Sequence, residues 1–190
     1  MLLDSAYTHR CICLLTLLIA SSCFNASESF VLKTTSTIAS SPADLYDFIA
    51  TPENWPRIVA SSHSVKKPSF SDNPINVPLN VGDCVEEVFG LPPLLPLSVV
   101  WECVKADASN GELEFFSKDG VPNFAKNCRM EFLISSVGSS MSDTSGSTYV
   151  QLIMEFEPVN PLVLAAVPLL SADNALALKV LLPSAMKKRS

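Results

Sequence analysis

The sequence predicts an α+β domain: a first strand, two short helices, a run of strands making an antiparallel sheet, and a long C-terminal helix. Two late segments alternate with period two. Cys128, Met130, Phe132 and Ile134 fall on one side and Arg129 and Glu131 on the other. Val150, Leu152, Met154 and Phe156 oppose Gln151, Glu155 and Glu157 in the same way. Each strand thus has one buried and one wet face, as in an antiparallel sheet. No strand–helix–strand alternation follows residue 60, which removes a doubly wound parallel sheet.

The elements follow in order. Residues 30–39 (FVLKTTSTIA) are β-branched and aromatic, as a strand prefers. Ser41-Pro42 supplies an N-cap and a proline for the first helical turn, and 43–50 carries Leu45, Phe48 and Ile49 on one apolar face. Thr51-Pro52 opens a second short helix, and Trp55-Pro56 is expected to stop it. Strands are predicted at 58–67 (weakly), 83–89, 98–106, 112–118, 125–137 and 147–157. Turn chemistry separates them: Asn110-Gly111, Asp119-Gly120 and the polar run 135–148. Asn160-Pro161 opens the C-terminal helical region. There Pro168 is expected to kink or break the helix, with Ser171 as a new cap. Asp173, Asn174, Lys179 and two prolines interrupt 161–182. We therefore read this stretch as a helix surrounded by protein, in preference to a membrane span.

With 190 residues, 48% apolar and 17% charged, the chain suits a single core and is too apolar for sustained disorder. Thirteen Lys and Arg against nineteen Asp and Glu give a net charge of −6, and no basic run exceeds Lys187-Lys188-Arg189. No nucleic-acid partner is expected. Two histidines, His9 and His63, leave no His-rich metal site, and six cysteines are too few for a disulfide-built scaffold.

Residues 1–29 read as a signal or targeting peptide and 30–190 as the domain. The unbroken, mostly apolar run 11–20 (CICLLTLLIA) follows a short segment with one arginine and precedes small polar residues. The run is shorter than the roughly 20 residues of a membrane span. Cleavage is expected after Ser29, or alternatively after Cys23. The chain then enters the secretory pathway, to be secreted or kept in endomembranes. The stretch 26–30 (ASESF) also resembles the alanine–phenylalanine cleavage motif of secondary-plastid precursors, so a plastid reached by way of the endoplasmic reticulum stays open. Loss of Arg10, Asp4 and Glu28 leaves 12 basic and 17 acidic residues and three cysteines: Cys84, Cys103 and Cys128. Their spacing makes no zinc motif, and they read as small buried hydrophobes.

The phrases SPADLYDF (41–48) and PENWP (52–56) look like the helix pair of the START-like, Bet-v-type helix-grip superfamily, in its polyketide cyclase/dehydrase and coenzyme Q-binding branch. Val81-Gly82-Asp83, Trp101-Glu102-Cys103-Val104 and NALALKVL (174–181) fall where that branch has a strand opening, its central strand and its helix end. The resemblance covers about residues 30–186. It departs at the proline-rich stretch from Leu91 to Leu97 (LPPLLPL) and at Pro183, which is expected to shorten the last helix. The resemblance implies a curved antiparallel sheet of about seven strands wrapped around the C-terminal helix, with an apolar cavity between them. Candidate ligand-binding residues are Trp55, Phe89, Trp101, Phe115, Met130, Phe132, Met154, Phe156, Leu170 and Leu178.

No catalytic residue is assigned. His63 sits among serines on an expected exposed edge, and no G-x-S-x-G elbow is present. Glu86 and Glu87 occupy adjacent strand positions and so face opposite sides, which defeats a two-carboxylate site. No phosphate loop, dinucleotide fingerprint or metal-ligand cluster is present, so no cofactor is expected. Of the polar candidates Ser117, Asn127, Arg129 and Tyr149, strand parity turns Arg129 and Tyr149 away from the buried rows. The expected function is binding and transfer of a hydrophobic small molecule such as a lipid, quinone or isoprenoid in that cavity, with transient membrane contact through 91–97. The alternatives are a cyclase-type enzyme or a protein-interaction domain.

Overall fold

The structure is a computed structural model that describes residues 29–91, 95–137 and 146–189. Residues 1–28, which hold nearly all of the expected targeting peptide, lie outside the described residues. Seven strands form one antiparallel sheet: β1 Phe30–Ala39, β2 Ser62–Lys66, β3 Cys84–Leu91, β4 Leu95–Asp107, β5 Glu112–Ser117, β6 Ala125–Ser136 and β7 Ser147–Pro158. Their spatial order is β1-β7-β6-β5-β4-β3-β2. Strands β2 to β7 are therefore a meander, and β1 returns to pair with the last strand. The sheet curls into a half-barrel beside the C-terminal helix.

The helix α1, Pro42–Ala50, starts as its sequence directs. Ser41 Oγ accepts from the Asp44 amide at 3.1 Å, a cap worth about 1 kcal/mol. Leu45, Phe48 and Ile49 are buried, and so are Tyr46 and Ala50. A 3-10 turn, Pro52–Asn54, then runs directly into α2, Trp55–Ile58. Trp55-Pro56 does not stop this helix. Pro56 occupies the first turn of α2, where its missing N–H has no intrahelical bond to lose.

The hairpin between β3 and β4 is longer than expected. Pairing continues through Gly90 opposite Pro96 and Leu91 opposite Leu95, so most of the stretch expected to be a loop is strand. A proline near the free end of a hairpin removes one ladder bond without ending the pairing. Pro92, Pro93 and Leu94 lie outside the described residues. At the β4–β5 turn Gly111 has φ +67°, and a Cβ there would stand 1.9 Å from the Ile134 carbonyl oxygen. Only glycine fits that approach.

The C-terminal region corrects three expectations. The helix α3, Leu162–Leu176, passes through Pro168 without a break. Pro168 and Leu164, whose carbonyl loses its amide partner, are both exposed, so water can serve that carbonyl. A π-helical turn, Ala177–Leu181, leads into α4, Leu182–Lys187, with Leu182 N–H bonded back to the Ala177 carbonyl. The wider turn falls just ahead of Pro183, which then sits in the first turn of α4 and does not shorten the helix. Nor is the helix surrounded by protein. Leu169 and Val180 are 70% and 54% exposed, because one curved sheet covers only one side of it. By length and composition Val163–Lys187 is apolar enough to cross a membrane.

Candidate ligand-binding cleft

Alternation sends every second side chain toward the helix. On β3 these are Val85, Glu87 and Phe89; on β4, Val99, Trp101 and Cys103. On β5 they are Leu113, Phe115 and Ser117, and on β6 and β7 they include Phe132, Ile134, Val150, Leu152 and Phe156. The opposite wall comes from α1, α2 and the helix side chains Val163, Leu178 and Leu182.

All ten candidate residues lie in this one apolar cluster. Trp55, Trp101, Phe115, Phe132, Phe156 and Leu178 are buried members, while Phe89, Met130, Met154 and Leu170 are partly buried against them. Some are engaged with each other. The Trp55 ring stands edge-on to Phe115 at 5.1 Å, and its Nε1–H donates to the Ile49 carbonyl at 2.8 Å. Others are less closed. Leu32, Met154, Met130 and Phe115 form one cross-strand row over β1, β7, β6 and β5. Phe115 has no exposure, whereas Leu32, Met154 and Met130 remain partly open to solvent. The inner wall is therefore apolar throughout this row but unsealed at its β1–β6 side.

The polar groups weighed from the sequence do not converge. Arg129 is exposed and pairs with Glu114 at 3.1 Å on the outer face. Tyr149 is 37% exposed. Asn127 holds Glu157, and Ser117 Oγ, although buried, accepts from the Gly120 amide at 3.1 Å. His63 lies exposed, with Nε2 3.1 Å from the Gly90 carbonyl oxygen. Cys84, Cys103 and Cys128 are free thiols, and burial pushes both Cys103 and Cys128 up to about 11.

One polar group that sequence reasoning passed over does face inward. Glu86 points out, 3.2 Å from Lys66 Nζ, and parity then sends Glu87 to the inner wall, where it is 8% exposed. Trp101 Nε1–H donates to Glu87 Oε2 at 3.0 Å. Burial drives the Glu87 carboxyl above its ordinary value, and Asp173 pushes the same way, while Ser62 and Trp101 act against them. Ser62 Oγ lies near this carboxyl but outside hydrogen-bond geometry, and it is buried without a partner. From the helix, Asp173 reaches the same region and accepts from Ser61 Oγ at 2.5 Å. Its neighbour Asn174 is 8% exposed, with Nδ2 buried and unpartnered. The signal was available: of two adjacent glutamates on a half-buried strand, one must face the core.

A separate open cleft of about 410 Å³ borders this cluster at Phe48 and is otherwise lined by Asp47, Thr51, Glu53, Asn54, Arg57 and Arg189 among others. It contains none of the ten candidates. Arg57 and Arg189 stand 5.4 and 5.8 Å from the Phe48 ring centroid there.

No protein-family model matches the chain, and no curated protein matches it in sequence. Solved structures do. The Zhui aromatase/cyclase from Streptomyces sp. R1128 superposes with TM-score 0.65 at 12% identity, over 86% of this chain and 97% of that one. A START superfamily protein from Mycobacterium smegmatis gives 0.63 at 12% identity, over 84% and 99%. The major latex-like protein 151 of Panax ginseng gives 0.55 at 16%, over 78% and 95%. The chain has the START-like, Bet-v-type helix-grip fold.

Proposed function

We propose that this helix-grip chain binds a hydrophobic small molecule, such as a lipid, quinone or isoprenoid, between the sheet and the C-terminal helix. The observation that carries this reading is the unsealed apolar row: Leu32, Met154 and Met130 face inward yet stay partly open. Apolar side chains that converge on a concave wall without closing it are what a ligand site needs. Lipid extraction and native mass spectrometry of the protein from its own organism test it. A co-purifying apolar molecule supports the reading, and failure to bind any apolar ligand at micromolar concentration removes it.

The reading extends to transfer. The stretch 91–97 is Leu and Pro with nothing polar, and an apolar stretch of this kind is suited to touching a membrane while the cleft loads. Replacing Leu94 and Leu95 with Ser should slow exchange of a fluorescent lipid between vesicles and leave folding intact. Entry to the secretory pathway belongs to the same proposal, since the run 11–20 is an export-type core. Recovery of Met1 on N-terminal sequencing of native protein would overturn it. A cyclase-type enzyme is the second reading, favoured by the inward carboxyl of Glu87. It is weakened by the four polar candidates that are turned away or held elsewhere.

A further inference from the structure

Glu87 is flanked along β3 by Val85 and Phe89 on the same face, and Val99 stands opposite it on β4. It is therefore a carboxyl set into an otherwise apolar wall. On the helix, Asn174 lies four residues from Leu170 and four from Leu178, so all three share one face. Leu170 and Leu178 pack into the inner cluster, which places the Asn174 amide between two leucines of the inner wall. Of three buried side-chain atoms without partners among the described residues, two belong here, Ser62 Oγ and Asn174 Nδ2. Buried polar groups are normally satisfied, and the Ser61–Asp173 bond joins the two segments that carry these orphans, so they point to a partner that arrives with the ligand.

We infer that this β2–β3–β4 side of the cleft is a head-group site for a neutral amphiphile bearing a carbonyl or hydroxyl oxygen. The inference rests on the apolar-ligand reading and specifies its polar end. Burial favours the protonated form of Glu87, and in that form Oε2 stays with the Trp101 N–H while the other oxygen offers a proton. Ser62 O–H and the Asn174 amide supply further donors. An anionic head would meet two carboxyl groups, Glu87 and Asp173, with no matching cation among the described residues. Lys66 is turned outward to Glu86, while His63 and Lys179 are exposed. An ammonium head would need Glu87 ionised in a site whose burial opposes that charge.

Four probes of equal chain length test this by displacement of Nile red, a neutral dye: dodecanol, dodecanone, dodecanoate and dodecylamine. Wild-type protein should bind the alcohol and ketone about five- to tenfold more tightly than dodecanoate, the effect of one net hydrogen bond. Glu87→Gln, which still donates, should keep that preference; Glu87→Leu should lose it. Leucine fits the apolar surroundings, and thermal melting checks that the variant folds. Should it not fold, Ser62→Ala is expected to reduce the preference by about twofold. Tightest binding of dodecylamine, lost in Glu87→Gln, would overturn the inference by showing an ionised carboxylate. Equal binding of all four probes by wild type and Glu87→Leu overturns it as well, while the cleft reading stands. No binding of Nile red or any probe removes both.

Discussion

Two tryptophans, each nearly fully buried, anchor the two sides of the inner wall in different ways. On the β5 side, Trp55 gives its N–H to a backbone carbonyl, that of Ile49, and packs its ring on Phe115. Leu113, Phe115 and Val150 have no exposure there. On the β3 side, Trp101 gives its N–H to a carboxyl, with a serine and a helix aspartate close by. The first side is a finished core. The second leaves Ser62 Oγ without a partner, and burial raises the Glu87 carboxyl above its ordinary value.

The comparison can be broken most directly at Trp55. Trp55→Ala should cost about 3–5 kcal/mol, read from the urea midpoint at unchanged slope. A cost below about 1 kcal/mol would mean that this side is not the closed core described. Trp101→Phe keeps most of the ring and deletes the donor. It should cost less, about 1–3 kcal/mol, the penalty of a buried acceptor left without its partner.

A smaller effect with a distinctive pH dependence is expected at Glu87. Its folded-state value lies above the ordinary 4.5 through burial. Between the unfolded and folded values the native state therefore binds more protons than the unfolded chain. The stabilisation linked to this group is complete below about 4.5 and is lost as pH rises through the folded value. Glu87→Gln should flatten that decline and be the more stable protein at the upper end. A wild-type curve parallel to that of Glu87→Gln across the window would show that Glu87 titrates as if in water. The mildest measurement involves no change in stability. Cys103 and Cys128, with thiols pushed up to about 11 by burial, should resist an aromatic disulfide reagent at neutral pH until the chain unfolds. Half-buried Cys84 should react first, although its thiol is also raised by burial and by the neighbouring Glu102 and Asp83. Rapid labelling of Cys103 in native protein would place an opening in the wall beside Trp101.

Much of this architecture was legible in local pattern. The period-two runs ending in Ile134 and Phe156 set which faces of β6 and β7 are buried. Ser41-Pro42 marked the start of α1, and the same alternation turned Arg129 and Tyr149 outward. Proline was the least reliable signal. Pro56, Pro168 and Pro183 each stand inside helical structure, because the effect of a missing N–H depends on where its would-be acceptor lies.

The polar side of the cleft was only half legible. Adjacent Glu86 and Glu87 had to face opposite ways, so one inward carboxyl followed from parity alone. What that carboxyl meets did not. Trp101 lies 14 residues away, and the Ser61–Asp173 bond joins positions 112 apart. By itself the sequence determined the order of elements, the buried face of each strand and the apolar character of the inner wall, since these arise from periodicities a few residues long. The tertiary structure decided how far the β3–β4 arm pairs, which side of the helix stays bare, and that Glu87, Ser62 and Asn174 are buried. Those outcomes depend on how a curled sheet and a helix meet, and contacts of that kind leave no periodic trace in the chain.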